Sequence, residues 1–111
     1  MQRGISNLNL KLYDKAAGDL STYITLNPGN PEAHFNKGLC EAALKKLQDA
    51  ISEFSRTIEL KPNYELAYYE RGKVFLELGD KEDACADFNE AFRKGCLPAK
   101  HYLETHCKKG E

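Results

Sequence analysis

Four cysteines and three histidines are the side chains of this 111-residue chain best suited to metal or thiol chemistry. Cys40, Cys85, Cys96 and Cys107 include no Cys-x-x-Cys pair, so a structural zinc site has no support. His101, His106 and Cys107 lie close together near the C-terminus. The two histidines stand five apart, a poor spacing for one helix face, and no carboxylate is placed to orient either ring. A Gly-rich phosphate loop, a nucleophile elbow and paired carboxylates at a strand end are all missing from the sequence. The expectation is a non-enzyme with no metal site and no cofactor. Any remaining thiol chemistry depends on where the elements put the cysteines.

Composition bounds those elements. With 41% hydrophobic and 30% charged residues the chain suits one compact domain. Sixteen basic against seventeen acidic residues give a net charge of −1, which offers nothing to polyanions and sets nucleic acid aside. A mean hydropathy of −0.61 and the lack of a long apolar run set a membrane span aside. The stretch Met1 to Asn7 lacks the basic-then-apolar order of a secretory signal, so a cytoplasmic location is the default expectation.

The strongest signal is an internal repeat. Shifted by 34 residues, the sequence matches itself without a gap. Gly4, Gly38 and Gly72 coincide, as do Ala16, Ala50 and Ala84. Leu10, Leu44 and Leu78 align; so do Leu20, Phe54 and Phe88, and Ile24, Ile58 and Phe92. Pro28 aligns with Pro62, each just past an apolar segment, where proline's missing amide and its clash with the preceding turn stop a helix. Ala50, Ile51, Phe54, Thr57 and Ile58 form one helical stripe. The pattern predicts seven helices, at about 1–10, 14–26, 31–44, 48–60, 65–78, 82–94 and 98–108. Lys45-Lys46 and Gly79-Asp80 make the tight turns of the second and third hairpins. The small Gly and Ala positions let paired helices approach, and Phe54 and Phe88 fill the space between them.

These elements locate the thiols. If helices 82–94 and 98–108 run antiparallel around a turn near residue 96, Cys85 lies opposite Cys107. The two can then form a disulfide in an oxidising compartment. The alternative is a pair of small buried apolar residues. Cys40 reads as a core residue of the second repeat.

The period and its residues resemble the tetratricopeptide repeat family. The third repeat carries Tyr68, Gly72, Phe75, Ala84, Phe88 and Ala91 at signature positions. The second carries Gly38, Ala50, Phe54 and Pro62, with Thr57 at the later alanine position. The first keeps Gly4, Ala16 and Pro28, with Leu20 at the aromatic one. His34 and Glu41 depart from positions that are usually aromatic, and Cys96 replaces the third proline. Met1 falls on the fifth position of the first repeat, which fits either a segment of a longer protein or a naturally short start.

The resemblance implies an all-α fold: an α-α superhelix of three helical hairpins plus a C-terminal capping helix. It makes residues 1–111 a single domain, with a shortened first repeat (1–30), a second (31–64), a third (65–98) and a cap (98–108). It also implies a concave face, lined by the first helices, that binds a protein or peptide. Family geometry puts Met1, Gln2, Ile5, Leu8, Glu32, Phe35, Asn36, Leu39, Ala42, Leu66, Tyr69, Glu70, Lys73 and Leu76 on that face. The expected peptide-binding residues are Phe35, Leu39, Leu66 and Tyr69 at its centre, flanked by Asn36, Glu70 and Lys73. Some of them could instead pack between helices or under an N-terminal segment. Of the residues with which some members clamp a C-terminal carboxylate, only Asn36 matches; Met1, Ile5, Leu66 and Glu70 occupy the other positions. A structural or self-associating role, as a homo-oligomer, is the alternative function. Arg3, Lys37 and Arg71 recur before the three glycines and are expected to lay their stems on the hairpin edge with their heads in water.

Overall fold

The computed structural model describes residues 2–107, with side chains from Lys11 onward. Among the described residues there are six helices and no strand: α1 (Gln2–Leu26), α2 (Pro31–Ala43), α3 (Leu47–Leu60), α4 (Glu65–Leu78), α5 (Lys81–Arg93) and α6 (Ala99–His106). Each packs on the next in chain order, so α2/α3 and α4/α5 form antiparallel hairpins stacked side by side.

Local chemistry sets most of the boundaries. Asn30 opens α2 by accepting the Ala33 amide at 3.1 Å, with Pro31 in the first turn. Asp80 opens α5 by accepting the Asp83 amide, and Gly79 closes α4 in the left-handed region at φ 86°. The matching turn after α2 places Lys45 at φ 66°, a conformation that a side chain makes costly. Packing therefore forces that turn. A Cβ on Gly38 would stand 2.6 Å from the Phe54 ring, so α2 and α3 are in close contact there. Gly72 meets Phe88 in the same way in the next hairpin.

Among the described residues the first hairpin is not closed. Residues 1–10 and 14–26, expected as two helices, belong to one helix of 25 residues among those described. Lys11 and Leu12 stand where Lys45-Lys46 and Gly79-Asp80 turn the chain, and both favour helix. Neither a glycine nor a capping side chain interrupts them. The count of three hairpins thus becomes two hairpins preceded by a long helix. Met1 and the end of the expected cap at Lys108 lie outside the described residues.

Two apolar clusters hold the stack. Phe35, Ala50, Phe54, Ala67 and Val74 form the first; Ala84, Phe88, Ala91, Cys96 and Ala99 form the second. Helix α6 covers the second cluster, its Tyr102 ring stacked on Phe88 at 4.5 Å. Without that cover the last hairpin would present Phe88 to water.

Candidate functional site

Helices α2 and α4 lie side by side because Gly38 and Gly72 let α3 and α5 close in behind them. Their free faces and the tip of α6 enclose an open depression of about 450 Å³. Leu39, Ala42, Ala43, Val74, Leu76 and Tyr102 give it an apolar lining, and Glu70, Lys73 and Glu77 supply its charges. Those charges are mutually engaged: Lys73 Nζ lies 3.4 Å from Glu70 and 5.1 Å from the Tyr69 ring centre, and Lys45 Nζ lies 2.9 Å from Glu77. What the depression offers is contact with apolar side chains inside a polar border. Among the described residues no group of three His, Cys, Asp or Glu is placed to hold a metal ion, and no helix is long and apolar enough to cross a membrane.

The structure divides the seven expected binding residues. Leu39, Glu70 and Lys73 line the depression. Tyr69 sits beneath it, 6.1 Å from Phe88 and 5.8 Å from Tyr102, and burial pushes its hydroxyl above the ordinary range. Asn36 is exposed on α2 outside the lining. Phe35 is corrected from surface to core: it is 7% exposed, with its ring between Phe54 at 5.6 Å and Tyr64 at 4.9 Å. Leu66 is exposed but borders a separate shallow depression with Glu32, Lys61 and Tyr64. The side chains of Gln2, Ile5 and Leu8 lie outside those described.

Ala43, Val74, Glu77 and Tyr102 were not anticipated. Tyr102 had a usable signal, for it stands 34 residues after Tyr68 and so continues the repeat for another period. The others fall on the flank of the helix face rather than its crest, and no residue type distinguishes them.

Behind the groove, the departures from the repeat pattern occur in linked groups. His34 Nδ1 lies 2.7 Å from Glu53 Oε1 and its Nε2 lies 3.0 Å from the Pro28 carbonyl. Both ring nitrogens face acceptors. Lys37 Nζ reaches Glu53 at 3.3 Å and Glu41 at 3.8 Å. Burial pushes the Glu41 carboxyl above its usual range, Lys37 pulling it back and Glu53 and Asp49 pushing the same way. Thr57 is fully buried and its hydroxyl donates to the Glu53 carbonyl at 2.9 Å.

Arg71 also departs from expectation. Its head is not in water but donates two bonds of 2.8 Å to Asp87 and a third of 3.0 Å to Ser55. Burial raises the Asp87 carboxyl against the pull of Arg71, while Asp87 holds the guanidinium charged against its own burial. The forked geometry is that of an ionised pair. It ties α4 to α5.

At the far end, Cys85 and Cys107 are joined, with Sγ atoms 2.10 Å apart and Cα atoms 5.6 Å apart. Cys40 and Cys96 are free and buried.

Stacked helical hairpins with an apolar depression between them make a helical-repeat scaffold. The comparisons with known proteins agree. A tetratricopeptide repeat profile matches residues 1–65 and a second matches residues 66–93. The chain belongs to the tetratricopeptide repeat family, whose members are generally non-catalytic, and it is a protein–protein interaction module.

Solved structures share the fold. The type III secretion translocator chaperone SycD of Yersinia enterocolitica is similar with a TM-score of 0.81 and 14% identity, over 95% of this chain and 82% of that one. The first repeat domain of Spaghetti (RPAP3), bound to the HSP90 peptide SRMEEVD, is similar with a TM-score of 0.75 and 21% identity, over 94% and 90%. MamA is similar with a TM-score of 0.75 and 20% identity, over 90% of this chain and 64% of that one, so the present chain spans just under two thirds of it. The curated proteins contain no match.

Proposed function

We propose that the concave groove between α2 and α4 binds a peptide or helix that presents apolar side chains. The observation that carries this reading is the lining: an apolar floor of Leu39, Ala42, Ala43, Val74, Leu76 and Tyr102 inside a border whose charges already pair with one another. A ligand anchored there gains about 1.5–3 kcal/mol for each large apolar side chain it buries. An unpaired carboxylate has no such gain, since Glu70 and Glu77 face the groove and Lys73 is its lone lining cation among the described residues. The peptide bound to the Spaghetti domain ends in acidic residues and Val-Asp. The groove here supports a different, apolar-anchored ligand.

The test is selection from a random peptide display library, run against the native chain and a Leu39→Glu, Lys73→Glu variant. Both substitutions lie in the lining; Lys73 is partly exposed and Leu39 half-buried against the first cluster, so circular dichroism must show that the variant is folded. A motif with spaced apolar positions, captured by the native chain and lost from the variant, is the expected result. Absence of enrichment, or equal capture by both proteins, refutes the groove as a peptide site.

A further inference from the structure

The first repeat is open. In the two closed hairpins, Ala50, Phe54, Ala84 and Phe88 are all 0% exposed, because the helix before each covers them. Ala16 and Leu20 stand at the same repeat positions in α1 and are only half-buried. Helix α2 packs on one side of α1. Among the described residues, no helix lies on the side that would meet the first helix of its own hairpin.

The covering segment is present in the same chain but out of reach. Gly4 holds the repeat position of Gly38 and Gly72, which meet Phe54 and Phe88; its own counterpart is therefore Leu20. Along one unbroken helix those residues lie 16 positions apart, which is about 24 Å at the usual rise. No bend brings them together within α1.

We propose that two copies of this chain exchange the first halves of α1, each supplying the other's missing hairpin helix. Two α1 helices running antiparallel place Gly4 of one on Leu20 of the other, and the reverse, in one isologous contact. The two-fold axis then passes through position 12, midway between 4 and 20. Leu12 occupies it and is 65% exposed in the single chain, with Tyr13 beside it at 40%. Paired about this centre, positions 2–22 of the sequence set no two like charges at opposed positions. The contact reuses the packing of the closed hairpins and leaves the groove on α2 and α4 free. It goes beyond the peptide-binding reading and does not depend on it.

Sedimentation velocity over a concentration series tests it, with an expected mass of twice the 12.5 kDa chain. Replacing Lys11→Gly and Leu12→Asp copies the Gly79-Asp80 turn; it should close the hairpin and return the mass of one chain at the same concentrations. A Leu12→Cys variant provides a second route that leaves α1 continuous. Mild oxidation should link its chains across the axis, whereas Thr22→Cys, on the same helix away from the axis, should not link. A native chain that stays monomeric throughout overturns the proposal. So does a dimer that gives no Leu12→Cys link, or one abolished by the groove variant Leu39→Glu, Lys73→Glu.

Discussion

Three glycines in helices should respond to the same alanine substitution with different signs. Alanine is worth about 1 kcal/mol over glycine in a helix interior. At Gly18 an added Cβ meets nothing within 4 Å, so Gly18→Ala should realise that gain. At Gly38 the new methyl lands 2.6, 2.8 and 3.0 Å from three atoms of the Phe54 ring. That ring is fully buried and held against Phe35, so it has nowhere to turn. Overpacking of this kind costs about 1–3 kcal/mol, and with an immobile ring the upper end applies. Net of the propensity gain, Gly38→Ala should lose about 2 kcal/mol. Gly72 is intermediate, its nearest atoms at 3.0, 3.1 and 3.2 Å, the last being the Ala84 carbonyl. At roughly 4 °C per kcal/mol for a chain of this length, thermal midpoints should fall about 8 °C for Gly38→Ala and rise about 4 °C for Gly18→Ala. Denaturation followed by circular dichroism measures both. A Gly38→Ala midpoint equal to or above the native one refutes the close-packing argument.

Further outcomes follow from the buried polar and thiol groups. The Cys85–Cys107 link spans 22 residues, so reduction should cost about 3 kcal/mol and make the amides of α6 the first to exchange; equal stability with and without reductant would contradict this. Arg71→Met strands the nearly buried Asp87 carboxylate and should lose about 3 kcal/mol, read by urea denaturation, with Asp87→Asn in the same chain recovering part of it. Glu41→Gln removes a buried carboxylate with one oxygen unpartnered among the described residues, and should gain about 1 kcal/mol at neutral pH. Its pH dependence has a definite sign. Burial raises the folded Glu41 carboxyl above its ordinary 4.5, so the native state holds that proton more tightly than the unfolded chain. The native protein therefore gains stability as pH falls through the folded value toward 4.5, and the variant's advantage vanishes over that window. An advantage constant across those pH values would show that Glu41 is not desolvated.

The period of 34 residues carried the fold, because the helical stripe, the small positions and the proline stops are local properties that each repeat states again. Phe54 and Phe88 facing Gly38 and Gly72 could be read from spacing alone. What the sequence could not decide was every outcome that depends on competition between local preference and packing. Lys45 turns at a cost because Gly38 and Phe54 hold the hairpin shut, whereas Lys11 at the same position stays helical, where Leu20 replaces the larger ring. Arg71 and Lys37 look alike one repeat apart, yet Arg71 forks onto Asp87 alone among the carboxylates across its hairpin, whereas Lys37 is shared between Glu53 and Glu41. Phe35 holds a repeat position expected on the groove, and the rings of Phe54 and Tyr64, both from its own repeat, close it into the core. The groove itself arises from side chains on three helices, α2, α4 and α6, and its membership is set by how far each flank turns toward the others. Sequence periodicity determines which face of a helix is apolar; tertiary packing decides how much of that face remains for a partner.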